Sequence, residues 1–313
     1  MKKELNVVGK RKVFMIISAC LIAATIVCSL VFGVEIDIQF KGGAIITYSY
    51  TGDLDKAKVE DTAEKVLNTS VNVQTQTDIA TKSENVVISL AGTKALTSDQ
   101  QANLTDTLQK DYKDNNLQMV NIKNVDPTMG QEFFFKCLIA VGVAFLLMII
   151  YIAFRFRKIG GWSAGVMGVI ALLHDAIMVF ATFVIFRIPL NDSFMAVILT
   201  ILGYSINDTI VIYDRIRENE KITGGKQPIG QLVNSSINQT FGRTINTSVA
   251  TIMAMVVVCI VALIFNVQSI LTFAFPMIIG MISGVYSSIC LSGPLWVMWQ
   301  EHKLKKGKGK KNK

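Results

Sequence analysis

Long uncharged runs, separated by short polar joints, occupy most of this chain, and one polar stretch at 35–132 interrupts them. Residues 13–34 form the first run, whose 22 residues exceed a signal-peptide core and match one bilayer crossing. Small residues within 18–24 imitate a cleavage site, but the apolar run continues past them. Five further runs follow at 133–154, 163–186, 194–213, 245–265 and 270–296. The pattern predicts an α-helical polytopic membrane protein with six transmembrane helices. The last run contains Pro276 and Pro294, so a tilt or kink is expected there. Gly280–Gly284 and Gly161–Gly165 place small residues four apart, which suits close helix packing.

Within 35–132 the periodicity changes. Residues 34–51 alternate loosely and read as a strand interrupted at Gly42 and Gly43, a structural turn or bulge, or else a hinge, close to the membrane. Residues 53–68 carry apolar positions at helical spacing, 71–79 and 85–91 are strand-like, 98–112 form a second helix, and 117–125 a closing strand before Pro127. The order βαββαβ predicts a small α+β domain of ferredoxin-like type.

Charge turns this pattern into a topology. The formal net charge is +8, which taken alone would fit a nucleic-acid binder. Its distribution excludes that reading: 35–132 has 9 Lys, no Arg and 15 acidic residues (net −6), whereas the remainder is net +14. The basic residues cluster before the first run, between the second and third, between the fourth and fifth, and in the tail at 300–313. Residues 1–12 and 300–313 are therefore expected in the cytoplasm and 35–132 outside it. The lysine tail reads as a solvated end, or as a contact for lipid or the ribosome. All five cysteines lie in apolar runs, so neither a disulfide framework nor a metal site is expected. No Walker motif, dinucleotide fingerprint or nucleophile–base constellation is present, so the chain reads as a non-enzyme without a cofactor.

Candidate chemistry lies where polar groups interrupt the apolar runs. Asp208 sits six residues before Asp214, about 9 Å inside the fourth helix. Asp175, beside His174, lies near the middle of the third. Arg243 opens the fifth, where antiparallel packing would bring it toward Asp208. A charge in hydrocarbon costs several kcal/mol and is kept where it faces protein or a water-filled path. Two readings of Asp208 follow. In one, it loads and releases a proton or small cation as helices move, with Asn207, Thr209, Ser205 and Tyr204 as neutral relays. In the other, Asp208 and Arg243 form a static clamp. Asp175 likewise is either part of an ion path or simply satisfied by His174. Asp214, seven residues from Asn207, lines the mouth of such a path or only anchors a helix end with Arg215 and Arg217.

The stretch Gly203-Tyr204-Ser205-Ile206-Asn207-Asp208-Thr209, followed by Asp214-Arg215-Ile216-Arg217-Glu218, resembles the fourth-span signature of SecF-type protein-export membrane proteins, in the resistance-nodulation-division superfamily. Phe40-Lys41-Gly42-Gly43, His174-Asp175 and 243–248 are similar to that family too. Residues 34–40 and the Phe241-Gly242 pair depart from its usual run. The resemblance implies a separate SecD chain, the SecYEG channel and a translocating preprotein as partners in the bacterial cell membrane. It implies work driven by the proton motive force, or by sodium, with Asp208 and Arg243 in the ion path. A passive scaffold of the channel and a small-molecule or lipid exporter are the rival readings.

Overall fold

Strand and helix follow from local sequence in the polar stretch. β1 (Gly43–Tyr50) buries every second side chain, so Ile46 and Tyr48 point into a core while their neighbours face out. α3 (Lys56–Leu67) starts at Asp55, whose carboxylate caps the Ala57 amide, and ends at Asn68 in the left-handed region. α4 (Ser98–Asp111) opens on a reciprocal capping box between Thr97 and Gln100. With β2 (Asn72–Asp78), β3 (Ser83–Ala91) and β4 (Gln118–Val125), these elements make a four-stranded antiparallel sheet in the order β2-β3-β1-β4. Val59, Ala63, Leu104 and Leu108 of the two helices close one face over Ile46, Tyr48, Val86 and Ile88. The computed structural model describes residues 5–78, 83–91, 96–265 and 267–311. Lys2, Lys3 and the last two residues of the lysine tail lie outside them.

The strand expected from residue 34 onward starts only at Gly43. Asp37 instead caps a single helical turn, α2 (Ile38–Lys41), which Gly42 ends at φ +79°. Gly43 then enters the sheet at φ +135°, where a Cβ would stand 2.1 Å from the Leu90 carbonyl oxygen. Both glycines are thus steric requirements of the turn from membrane to sheet. The turn is pinned to the bundle: Phe40 lies against Phe133 and Phe134, and in the loop after the third span Leu190 accepts from the Asp37 amide and donates its own amide to the Glu35 carbonyl.

Among the described residues, six helices are long and apolar enough to cross a membrane. They are α1 (Arg11–Phe32), α5 (Pro127–Arg155), α6 (Gly161–Ile185), α7 (Asp192–Thr223), α8 (Ile229–Ile264), and a last span built from α9 (Gln268–Ser287), a π turn at Ser288–Ser292 and α10 (Gly293–Lys311). The π turn has a local cause. Pro294 cannot donate to the carbonyl four residues back and its ring crowds that carbonyl, so the backbone widens immediately before it. Pro276, by contrast, sits inside α9 without ending it.

α6, α7 and α9 form the inner layer, and α1, α5 and α8 leave most of their apolar surface outward. Arg11, Arg155 and Arg217 all lie at one end of this bundle, hereafter the basic end, and the sheet lies at the other. α7 and α8 continue beyond their apolar stretches at the basic end because their polar residues find partners. Asn219 donates to Ser236 and Gln239, while Asn234 and Asn238 accept from the backbone amides of Val7 and Leu5.

Candidate functional site: two buried carboxylates

Asp175 on α6 is fully buried. Three serine hydroxyls donate to it, each at 2.7 Å: Ser205 of α7 and Ser287 of α9 to Oδ2, and Ser283 of α9 to Oδ1. Charge-assisted bonds of this length are the strong kind, and here they join three helices at one atom group. His174 Nδ1 stands 3.5 Å from Asp175 Oδ1 and 3.4 Å from Ser283 Oγ, a looser contact than any of the three. Two serines have a second acceptor in reach, since Ser287 also points at the Gly284 carbonyl at 3.2 Å and Ser283 at His174. The cage can therefore turn one hydroxyl away without moving its heavy atoms.

The polar seam continues toward the basic end along the π turn. Ser288 Oγ donates to the Ser205 carbonyl at 3.2 Å and meets Thr209 Oγ1 at 3.0 Å. Ser292 Oγ donates to the Ser288 carbonyl, and Tyr213 donates from its hydroxyl to the Ser292 carbonyl at 3.3 Å. The widened turn lets Ser287 face α6 while Ser288 faces α7. Gly284 makes this possible, because a Cβ there would stand 3.1 Å from Ser205 Cβ and Oγ.

Asp208 is built differently. It is 5% exposed, and one hydroxyl reaches it: Ser248 Oγ of α8 donates to Oδ2 at 3.4 Å. Tyr204 lies one turn earlier on the same face of α7, and Thr244 one turn before Ser248 on α8. Both carry buried hydroxyl oxygens with no hydrogen-bond partner among the described residues. No ion pair joins Arg243 to Asp208 among the described residues, and Arg243 is exposed.

The remaining expected residues separate into two groups. Thr209 is buried and turns to Ser288 rather than outward. Asp214 sits at the basic end, where Arg217 approaches it at 2.6 Å and Arg155 at 3.4 Å. Asn207 and Gly203 lie on the open face of α7, and a Cβ on Gly203 would meet nothing within 4 Å. Gly42 and Gly43 are at the sheet end, remote in the fold from both carboxylates. Sequence reasoning missed Ser287, Ser288 and the π turn. The signal it offered was Ser283 and Ser287 standing four apart in an apolar run.

Comparison with known proteins agrees with this architecture. The chain is 30% identical over 311 residues to the protein translocase subunit SecF of Alicyclobacillus acidocaldarius, covering 98% of this chain and 96% of that one. It is 33% identical over 300 residues to the translocase subunit SecDF of Bacillus subtilis, covering 95% of this chain and 38% of that longer protein. Among solved structures it resembles SecDF of Thermus thermophilus, a translocon-associated membrane protein, with a TM-score of 0.77 and 26% identity over 96% of this chain and 39% of that one. Residues 104–302 match the family described as protein export membrane protein SecD/SecF, C-terminal. The chain therefore belongs to the SecD/SecF family of protein-export membrane proteins.

Proposed function

We propose that this chain is the SecF-type half of a SecD–SecF pair that uses an ion gradient, of protons or sodium, to help move preproteins through the SecYEG channel after the ATP-driven step. In this reading it is not an enzyme, both termini lie in the cytoplasm, and the β-α-β-β-α-β unit is a ferredoxin-like domain on the far side of the cell membrane. The observation that carries it is Asp208, a buried carboxylate with a single long hydrogen bond beside an open, polar helix face. That face holds Asn207, Arg243, Asn246 and Thr247, all exposed on α7 and α8. Polar groups of this kind are costly against lipid, which calls for a membrane partner. Ala196, Thr200 and Gly203 run along the same side of α7 and allow a partner helix to come close. SecD is the partner that fits, since SecDF relatives are longer proteins of which this chain matches a part.

The test is export into vesicles holding this chain, SecD and the channel, with and without an imposed gradient. Asp208→Asn is expected to abolish the gradient-dependent part and leave the ATP-driven part intact. Undiminished gradient dependence in that variant would exclude Asp208 as the coupling group. Loss of export on deleting 35–130 together with a silent Asp208→Asn would point to the passive scaffold instead.

A further inference from the structure

At the basic end, α5, α6 and α10 surround a cavity of about 620 Å³. Its rim carries Arg157 and Lys303, and no carboxylate lines it among the described residues. Arg157 stands apart from its neighbours: Arg11 pairs with Glu301, Arg155 and Arg217 with Asp214, and Arg215 with Glu218. Neither Arg157 nor Lys303 has an ion-pair partner among the described residues, and Arg157 is held at the rim by the Phe154 ring at 5.9 Å. Two indoles flank the opening, Trp162 at 67% and Trp299 at 52% exposure, and neither N–H has a partner among the described residues. The first turn of the 25-residue helix α6 opens into the same space without a side-chain cap.

We infer that this cavity is a binding site for the headgroup of an anionic phospholipid. Two unpaired cations and a helix N-terminus supply the charge complement to a phosphodiester. Paired tryptophans with free N–H groups are the side chains that settle at headgroup depth. A free phosphate would leave the rest of the cavity unused, because its inner wall is apolar, with Ala153, Val166 and Met167. That wall continues as an exposed apolar stripe on α6, Val166, Ile170 and Leu173, along which an acyl chain can lie. The site occupies a different side of the bundle from the open α7–α8 face.

Native mass spectrometry of the delipidated full chain, titrated with phosphatidylglycerol or with phosphatidylcholine of the same acyl chains, tests the assignment. The wild type is expected to prefer phosphatidylglycerol. Arg157→Gln with Lys303→Gln should weaken that binding roughly 25-fold, about fivefold for each cation. Lys158→Gln with Lys305→Gln, which removes equal charge outside the cavity, should leave it unchanged, and Arg157→Lys should retain most of it. Millimolar inorganic phosphate should not displace the lipid. Equal binding of the two lipids, or equal loss in the two double variants, would overturn the site. Displacement by phosphate would show a phosphate site in place of a lipid site. All four lysine and arginine positions are exposed, and the thermal midpoint of each variant verifies its fold.

Discussion

Asp175 and Asp208 are both buried carboxylates of one bundle, and they are held in opposite ways. Asp175 is surrounded by its own chain, with three hydroxyls from two neighbouring helices at 2.7 Å. Among the described residues Asp208 has one donor at 3.4 Å, with two partnerless buried hydroxyls, Tyr204 one turn away on α7 and Thr244 one turn before its donor on α8, and an open face beside it. A buried carboxylate held by three short hydrogen bonds from two neighbouring helices is a fixture, since displacing those helices breaks strong bonds. A buried charge with spare capacity around it is free to change partners. On the proposed function, Asp175 locks α6, α7 and α9 and Asp208 is the moving part, a division that stability measurements can break.

The largest expected effect is on the locked residue. Asp175→Leu removes three interhelical bonds, each worth roughly 0.6 to 1.7 kcal/mol in a membrane protein, so the chain should lose roughly 2 to 5 kcal/mol. Thermal unfolding in detergent would read this directly. Asp208→Leu removes one long bond and a poorly paired buried charge, and should change stability by less than about 1 kcal/mol. Equal losses would mean that both carboxylates are structural. Next comes Gly284→Ala, which brings a methyl to 3.1 Å from Ser205 Cβ and Oγ and so presses on the cage from α9. An overpacked contact of this kind costs about 1 to 3 kcal/mol, and it should be largely absent in an Asp175→Leu background, where Ser205 is no longer held.

Both carboxylates were legible in the sequence because a charge among apolar neighbours is rare and stands out. Their surroundings were not. Serine is common in apolar helices, and nothing in a string of residues shows that Ser205, Ser283 and Ser287 converge on one oxygen pair from two helices. The π turn was hidden for a related reason. Pro294 announces a disturbance, but whether the helix kinks, breaks or widens depends on the neighbours that take up carbonyls of the turn, here the Ser292 hydroxyl on the Ser288 carbonyl and the Tyr213 hydroxyl on the Ser292 carbonyl. In the polar domain the alternation of β1 and the helical spacing of apolar positions in α3 were legible, since both are local. The turn at Asp37 was missed because a four-residue helix has no period to detect.

The smallest expected effect sharpens the comparison most. Arg243 is exposed and makes no ion pair with Asp208 among the described residues, so within this chain its charge faces outward. Arg243→Gln should then shift the unfolding of the isolated chain by less than about 0.5 kcal/mol, as surface substitutions usually do. In a complex with SecD the same substitution should weaken association or coupling well beyond that, because the partner covers the α7–α8 face where Arg243 lies. A loss above about 1 kcal/mol in the isolated chain would mean that Arg243 is already engaged within this chain. Asp208 would then be clamped from inside, as Asp175 is, and the division between a locked and a mobile carboxylate would fail.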